Sequence, residues 1–284
     1  MQFQKAERKQ AVIKLAIQGP SGSGKTFSSL LLAYGLAGNW NQIAVIDTEN
    51  NSSHLYSHLG SYNVLSLSEP FTPERYAEAI EFCEKAGMRV IIIDSISQEW
   101  EGSGGIIESH GNMSGNSFTN WNKMTPRHNS FVQKILQSSS HVICTIRSKQ
   151  DYVLTDKNGK MVPEKVGLKG VTRDGMDYEF TVVLDLDIKH QATASKDRTG
   201  LFSNPMPFMV NESIGNRIKI WCLGEELISK ISEQINESKT VQELRNILIK
   251  YPTLREKIEP LCINRKTQIE GIVSGQQVIK PNIE

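Results

Sequence analysis

The sequence predicts an α/β fold in which helices flank a mainly parallel sheet, with a small helical unit at the C-terminal end. Short apolar runs alternate with helical patterns over most of the chain, as they do in successive βαβ units. A glycine-rich loop separates the first of these strands from the first helix. After Gly224 the strand pattern stops and only helical periodicity continues. We therefore place a core domain at residues 1–224 and a helical unit with a polar tail at residues 225–284.

Local sequence signals predict the individual elements. Apolar runs rich in β-branched residues are expected to form strands at Val12–Gln18, Ile43–Asp47, Val90–Asp94, His141–Arg147 and Phe180–Ile188. Helices are expected at Lys25–Leu36, Pro73–Lys85 and Pro126–Gln137. Thr72 and Pro73 suit the N-cap and the first helical position of the second helix. In the C-terminal unit, Thr240 and Glu243 have the spacing of a capping box.

Two segments are predicted to be mobile loops, Glu101–Phe118 and Gln150–Asp174. The first is rich in Gly, Ser and Asn, and the second contains the turn signal Asp156-Lys-Asn-Gly159. Loops of this length inside a compact domain are usually functional. We therefore expect both segments to contact a substrate or a partner.

The charge balance and the cysteines narrow the class of protein. The chain has 32 Lys and Arg residues against 31 Asp and Glu residues, so any basic surface must be local. The cysteines Cys83, Cys144, Cys222 and Cys262 have no paired spacing, which argues against a zinc site or a disulfide framework. The sequence has no apolar signal core and no apolar run of about 18 residues. It predicts a soluble, cytoplasmic protein without a membrane partner.

The glycine-rich loop carries the most specific functional pattern. It reads GPSGSGKT, fits GxxxxGK[ST], and lies between a predicted strand and a predicted helix, as this phosphate-binding loop requires. Its backbone N–H groups would bind the phosphates of ATP, the Lys25 ammonium would balance their charge, and the Thr26 hydroxyl would bind Mg²⁺. The residues predicted to bind the nucleotide are Gly19, Pro20, Ser21, Gly22, Ser23, Gly24, Lys25, Thr26 and Phe27.

Carboxylates that follow two other apolar runs complete a candidate site for metal binding and hydrolysis. Asp94 ends a buried strand, and beside a phosphate loop such an aspartate is expected to bind Mg²⁺ together with Thr26. Hydrolysis also needs a carboxylate that polarises the attacking water. Glu49, after the second strand, and Glu99, five residues beyond Asp94, are both candidates, and their spacing leaves the choice open.

The order of these segments resembles that of the RecA family of recombination ATPases. GPSGSGKT is followed by VIDTEN, VIIIDSIS and VICTIRSK, and the likeness covers residues 10–224. More closely, the chain is similar to phage-encoded RecA-like proteins of the AAA-domain class associated with single-strand annealing. The resemblance implies a RecA-like P-loop NTPase that hydrolyses ATP with Glu49. It also implies that the end of the strand His141–Arg147 faces the γ-phosphate, where Arg147 would contact it. RecA itself has an Asn-Gln pair at this strand end, and this sequence departs from RecA by having Thr145 and Arg147 there.

The resemblance also implies a site for single-stranded DNA. In RecA-like proteins, DNA is held by loops that correspond to Glu101–Phe118 and Gln150–Asp174. From Arg147 to Arg173 there are seven cations and three anions, a net charge of +4 in an otherwise neutral chain. Aromatic side chains often add base stacking to such contacts. The residues predicted to contact DNA are Lys149, Tyr152, Lys157, Lys160, Lys165 and Lys169.

The late segment SKDRTGLF, residues 195–202, contains two cations separated by one residue. By itself it is typical of a turn. It also resembles the Lys-x-Arg-x-Gly motif with which RadA and DnaB relatives reach the γ-phosphate of a neighbouring subunit. The resemblance implies that Lys196 and Arg198 act in catalysis across an interface, and that the protein assembles into a ring or a filament.

The sequence leaves more than one function open. The expected activity is that of an ATPase stimulated by single-stranded DNA in phage-type recombination or annealing. The expected partners are single-stranded DNA, further copies of the chain and a phage recombination or single-strand-binding protein, in the cytoplasm of a bacterial host. A helicase-like motor, a nucleotide-gated loader or scaffold without annealing activity, and a small-molecule kinase use the same phosphate loop. A kinase usually has an arginine-bearing lid, which the sequence does not indicate.

Overall fold

The computed structural model describes residues 11–157, 160–204 and 206–276. For residues 150–157, 160–167, 225, 226, 253, 256 and 272–276 it describes the backbone alone. The described residues form two compact units, one at Val12–Lys219 and one that comprises Ile220 onward together with Ala11. The domain boundary predicted after Gly224 stays a prediction.

One mixed sheet organises the first unit. Its strands are β1 (Lys14–Gly19), β2 (Ile43–Asp47), β3 (Asn63–Ser66), β4 (Val90–Asp94), β5 (His141–Lys157), β6 (Lys160–Gly170), β7 (Val182–Leu186), β8 (Gln191–Asp197) and β9 (Phe208–Met209). The parallel part has the order β3, β2, β4, β5, β1, β7. β8 and β9 extend it antiparallel, and β6 pairs antiparallel with β5. The P-loop strand β1 therefore lies between β5 and β7.

Helices cover both faces of this sheet. They are α1 (Lys25–Ala37), α2 (Pro73–Lys85), α3 (Ser97–Glu101), α4 (Ile106–Gly111), α5 (Ser117–Gln137) and the start of α6 (Glu212–Glu237). On one face, Tyr76 of α2 and Phe131 of α5 pack with Ile91 and Ile93 of β4. Because strand side chains alternate between faces, α1, which contacts β4 and β5, covers the other face. The predicted fold class, a mainly parallel sheet flanked by helices, is confirmed.

The strands β2 and β4 have the bounds that the sequence predicts. Every residue of both strands is buried, because helices lie on each side of them. Burying apolar surface contributes about 25 cal/mol per Å² to folding, so an unbroken apolar run here stabilises the sheet. Each run ends in an aspartate, Asp47 or Asp94, and these two residues are register partners at the same edge of the sheet.

The predicted loop at Gln150–Asp174 is wrong. β5 continues to Lys157 and pairs with β6 along the whole length of β6, so most of this segment is an antiparallel hairpin. The turn signal lies between the paired residues Lys157 and Lys160, where a hairpin needs it. The first part of the predicted loop, residues 150–157, is therefore a continuation of the core strand β5.

The predicted loop at Glu101–Phe118 is also wrong over much of its length. It contains α4, and α5 begins at Ser117 instead of Pro126. The Asn116 side chain caps α5 by accepting a hydrogen bond from the Phe118 N–H at 2.8 Å. Pro126 lies inside the helix, so this proline does not mark its start.

The second unit is helical, as the sequence predicts for the chain after Gly224. α6 is kinked at Gly224, whose φ of 53° is not helical, and it ends at Glu237. It is followed by α7 (Val241–Lys250) and α8 (Arg255–Gln276). The predicted capping box is present, since the Thr240 hydroxyl accepts from the Glu243 N–H at 3.2 Å and the Glu243 carboxylate accepts from the Thr240 N–H at 3.4 Å. The buried residues that form its core are Ile231, Ile235, Leu244, Leu254, Ile258 and Cys262.

In the described part of the chain, none of the helices combines the length and the apolar character that a membrane span requires.

Candidate nucleotide-binding site

A cavity of about 840 Å³ lies at the carboxyl ends of the parallel strands in the first unit. In open α/β sheets this edge is where ligands bind. Of the residues predicted to bind nucleotide, six line the cavity: Ser21, Gly22, Gly24, Lys25, Thr26 and Phe27. The other three, Gly19, Pro20 and Ser23, belong to the same loop but do not line the cavity. Ser23 is fully buried.

The phosphate loop owes its shape to two glycines. Gly22 has φ 78° and Gly24 has φ 86°, values that only glycine adopts without steric cost. The loop leads directly into α1, whose N-terminus has no side-chain cap and no acidic residue in its first turn. The N–H groups of this turn therefore remain available to an anion, which the helix dipole favours there.

The Lys25 side chain lies against the loop that precedes it. Its ammonium donates hydrogen bonds to the carbonyl oxygens of Gly19 at 2.9 Å and Pro20 at 3.0 Å. Burial lowers the pKa of Lys25, while the nearby carboxylates of Asp94 and Glu49 act in the opposite direction. The cavity thus holds a partly buried cation at the position where the sequence predicts one.

Asp94 is buried between two hydroxyl groups. The Thr26 hydroxyl donates to its Oδ2 at 2.6 Å, the Thr145 hydroxyl donates to its Oδ1, and the residue is 2% exposed. Burial raises the pKa of Asp94, and the two hydrogen bonds only partly oppose this effect.

The oxygen atoms of Thr26 and Asp94 fit Mg²⁺. This ion binds through one or two carboxylates plus substrate phosphates, and does not need a cage of protein ligands. Among the residues that the structure describes, no group of three or more His, Cys, Asp or Glu side chains could hold a metal ion. The two predicted metal ligands are therefore adjacent, in a setting that suits a metal shared with a nucleotide.

Glu49 and Arg147 form an ion pair at the cavity. Arg147 Nε donates to Glu49 Oε1 at 2.9 Å, and its Nη2 donates to Oε2. The Ser95 hydroxyl also donates to Oε1, at 2.8 Å. The hydrogen bonds to Glu49 raise the pKa of Arg147. Both predicted residues line the cavity, and here they bind each other.

Glu99, the other carboxylate that the sequence offers, lies elsewhere. It is 0% exposed on α3, and its two oxygens are 3.1 and 3.2 Å from Nδ1 of His128. Burial raises the pKa of Glu99, and His128 opposes that effect. Glu99 does not line the cavity, so of the two candidates only Glu49 is placed to meet a nucleotide.

Further residues that the sequence did not indicate also line the cavity, among them Tyr56, His190, Met209 and Val210. The ring of Tyr56 lies 5.7 Å from the ring of Phe27, at a tilted angle of 56°. Tyr56 belongs to a 3₁₀ helix at Ser52–Leu59, which has no helical apolar stripe that a sequence could reveal. His190 lies in the turn between β7 and β8, and only the sheet topology brings it to the phosphate loop.

Lys196 and Arg198 do not line the cavity. The Lys196 ammonium donates to the carbonyl oxygens of Asp177, at 3.1 Å, and Tyr178, and Arg198 donates to the Tyr178 carbonyl at 3.3 Å. Burial is the main cause that lowers the pKa of Lys196. The turn after them is ordered by Asp197, whose carboxylate accepts backbone N–H groups at 2.7 Å. Part of the segment predicted as a turn is thus the strand β8.

The predicted DNA contacts lie on the hairpin of β5 and β6. In the backbone register Lys149 is opposite Lys169, Tyr152 is opposite Lys165, and Lys157 is opposite Lys160. Lys149 is exposed, and Lys169 pairs with Asp174 at 2.7 Å. The side chains of Tyr152, Lys157, Lys160 and Lys165 lie outside the described part of the structure.

Comparison with known proteins gives a family for this arrangement. The family model described as AAA domain matches residues 11–209. Among solved structures, a KaiC-like protein from the hyperthermophilic archaeon Pyrococcus horikoshii is similar at 16% identity and a TM-score of 0.41, over 70% of this chain and 86% of that protein. No curated protein matches the chain.

The burial of Asp94 predicts that Asp94→Asn stabilises the ligand-free protein, by about 1 kcal/mol at neutral pH. The amide carries no charge to bury, and the two threonine hydroxyls can turn to serve as either donors or acceptors. The free energy of unfolding, measured in urea, checks this. As the pH falls through the raised pKa of Asp94, the folded wild type takes up a proton and the difference should close.

Asp47→Asn is the matched control, because Asp47 is equally buried but accepts two backbone N–H groups, from Glu49 at 2.8 Å and Ser53 at 2.9 Å. These donors cannot turn, so one of them would face the new amide N–H₂. We expect a loss of about 1–3 kcal/mol. Equal effects of the two substitutions would contradict the role assigned to the threonine hydroxyls.

Proposed function

The chain belongs to the AAA-domain family of P-loop NTPases, and from this premise we propose that it hydrolyses ATP, acts on single-stranded DNA and works as an assembly of identical subunits. One observation carries the ATPase part: Lys25, the Thr26–Asp94 pair and Glu49 all meet at one cavity. The other parts rest on the hairpin, on the position of Lys196 and Arg198, and on the resemblance to RecA-like proteins.

The phosphate loop and α1 would bind the phosphates of ATP. Lys25 gives up its hydrogen bonds to two loop carbonyls for a phosphate oxygen, and the first-turn N–H groups bind further oxygens. Thr26 and Asp94 would hold Mg²⁺, which when bound neutralises charge on the phosphate oxygens. Phe27 and Tyr56 offer aromatic faces in the same cavity to the base.

Glu49 would orient the attacking water and accept its proton. Both carboxylate oxygens of Glu49 accept hydrogen bonds from Arg147. An attacking water must displace one of these hydrogen bonds before it can donate its proton to Glu49. We propose that the γ-phosphate attracts Arg147 away from Glu49, so that the base becomes available only when ATP is bound.

Two substitutions test the proposed base, Glu49, and the proposed phosphate-binding residue, Lys25. Glu49→Gln should keep ATP affinity and lower the turnover number by about 10²–10⁴-fold, because the amide cannot accept a proton. Lys25→Ala should lose nucleotide binding, because α1, which the structure describes in full, contains no other cation. Phosphate release and calorimetric ATP titration measure the two effects.

Glu99→Gln is the matched control. Glu99 is buried against His128 and away from the cavity, so the folded variant should turn over ATP at the wild-type rate. Loss of turnover in Glu99→Gln, with normal turnover in Glu49→Gln, would reverse the assignment.

The DNA part of the proposal is supported by charge and by connectivity. The segment from Arg147 to Arg173 carries a net charge of +4, and the structure folds most of it into one hairpin. That hairpin is the direct extension of β5, the strand that also carries Arg147. DNA bound to the hairpin would therefore act on the same strand that contacts Glu49, in the phage-type recombination or annealing that the resemblance implies.

Single-stranded DNA should stimulate ATP hydrolysis by the wild type. The double substitution Lys157→Ala with Lys160→Ala should weaken DNA binding and reduce the slope of log affinity against log salt by about 1.4, because two phosphate contacts are lost at about 0.7 each. Fluorescence anisotropy of a labelled oligonucleotide gives the slope. The control is a double substitution of exposed lysines that lie outside the hairpin, Lys85→Ala in α2 with Lys123→Ala in α5.

DNA that neither binds nor changes the ATPase rate would overturn the DNA part and leave the ATPase part standing. Stimulation without annealing of complementary oligonucleotides would favour the helicase-like motor. Phosphorylation of a small acceptor, with no response to DNA, would favour the kinase.

Assembly would bring Lys196 and Arg198 to the ATP of a neighbouring subunit. Neither cation lines the cavity of its own chain, and both donate to the backbone carbonyl of the exposed Tyr178. Cations supplied across an interface stabilise the charge that develops on the transferred phosphoryl group. Hydrolysis would then depend on assembly.

Arg198→Ala should bind ATP normally but lose the turnover that rises with protein concentration. Mixing it with Glu49→Gln should restore part of the activity, because one kind of mixed interface has both an intact Glu49 and an intact Arg198. The exposed cation Arg255, paired with Glu259 in α8, provides the control Arg255→Ala. Absence of rescue in a preparation shown to co-assemble would remove Arg198 from catalysis.

A further inference from the structure

The turn between β7 and β8 holds a histidine against the phosphate loop. The Asp187 carboxylate accepts the N–H groups of Lys189 at 2.8 Å and Gln191 at 2.9 Å, and the His190 N–H donates to the Asp187 carbonyl at 3.1 Å. His190 itself has φ 64°, in the left-handed region that few residues other than glycine adopt. The turn is thus closed by its own hydrogen bonds and presents the imidazole in one direction.

The imidazole contacts the loop at the site of the phosphates. Nδ1 of His190 lies 3.0 Å from the Ser23 carbonyl oxygen, and a side chain at Gly24 would meet the same atom at 3.0 Å. A carbonyl only accepts, so Nδ1 carries a hydrogen and donates it. The ring also lines the cavity, and no described residue forms a hydrogen bond with Nε2.

A histidine anchored through Nδ1–H has a second nitrogen whose character depends on protonation. In the neutral ring Nε2 is an acceptor, which suits no phosphate oxygen, whereas in the imidazolium it is a second donor. Hydrogen bonds from a charged donor to a phosphate are among the strong ones in proteins. A phosphate beside Nε2 would therefore favour the protonated ring.

We propose that His190 is a second cationic ligand of the nucleotide phosphates, supplied in cis by the β7–β8 turn, and that it takes up a proton when the nucleotide binds. This inference rests on the proposed function, since it assumes that the cavity binds ATP or ADP. Its consequence is that, as the pH falls from 8 to 6, the wild type gains nucleotide affinity relative to a variant without the imidazole. Protonation of the terminal phosphate of the nucleotide lowers the affinity of both proteins alike and cancels in this comparison.

The charged surroundings are compatible with this role. Asp187 and Lys189 flank His190 in its own turn, and Lys25 is the cation on the side of the phosphate loop. From the side of β9 the cavity is lined by the uncharged Met209 and Val210. The other charged residues that line the cavity are Glu49, Asp94, Glu101, Arg147 and Lys149, and bound phosphates would add the negative charge that an imidazolium pairs with.

Calorimetric titration of the full chain with Mg²⁺ and ADP tests the proposal, at pH 6 and pH 8 and in two buffers of different ionisation enthalpy. The buffer comparison counts the protons taken up on binding. His190→Asn is the informative variant, because its amide still donates to the Ser23 carbonyl but cannot be protonated. Lys189→Ala, in the same turn, is the control.

Three results are expected. The wild type should take up more protons on binding ADP at pH 6 to 8 than His190→Asn does. At pH 6 its affinity should exceed that of the variant by about 10-fold, a factor that corresponds to one charge-assisted contact. At pH 8 the two affinities should be nearly equal, and Lys189→Ala should follow the wild type at both pH values.

Equal proton uptake and parallel pH profiles in the wild type and His190→Asn would overturn the assignment of His190 while leaving the proposed function intact. A wild type that binds neither ADP nor ATP would overturn the proposed function, and the inference with it. A purely structural brace predicts a different pattern: His190→Ala would weaken ADP binding equally at both pH values and lower the urea midpoint of the nucleotide-free protein.

Discussion

The buried carboxylate of Asp94 is the interaction on which the rest of the site depends. Its two oxygens accept from Thr26 at the start of α1 and from Thr145 in β5, and its backbone carbonyl accepts from the Thr48 N–H at 2.8 Å. One residue thus connects the phosphate loop, the strand that carries Arg147 and the end of the strand that leads to Glu49. Removing a carboxylate from water is costly, and the two hydroxyls return only part of that cost. A cation bound beside Asp94 would offset this desolvation cost by attracting the buried carboxylate.

Around this residue the structure separates two sets of charged groups. Lys25, Glu49 and Arg147 line the same cavity, where Arg147 pairs with Glu49 and Lys25 donates to backbone carbonyls. Lys196 and Arg198 are held outside it by a backbone carbonyl. In this arrangement Glu49, the residue proposed as the base, is paired with an arginine of the same chain. Under the proposed assembly, hydrolysis would be controlled by the bound nucleotide and by a neighbouring copy of the chain.

The sequence predicts the parts of the fold that are buried on both faces, and it does so less well elsewhere. β2 and β4 are uninterrupted apolar runs, so their limits could be read directly. The hairpin of β5 and β6 contains charges and turn residues, which are equally typical of a loop, and only the pairing of its two strands makes it regular. Glu49 and Glu99 both follow apolar strands in the sequence. Their separation into a cavity residue and a buried partner of His128 arises from the tertiary fold.

The continuity of β5 gives the protein a mechanical element. A strand advances about 3.3 Å per residue, so the stretch from Arg147 to Lys157 spans about 33 Å without a break in the chain direction. Pairing with β6 supports this stretch on both sides of a register irregularity between Asp151 and Tyr152, which is the point where the strand bends most easily. A displacement of the outer end of the hairpin would be transmitted along the paired strands to Arg147, whereas a flexible loop would not transmit it. If a ligand binds the hairpin as proposed, the length of the hairpin would set the distance over which that binding could affect the Arg147–Glu49 pair.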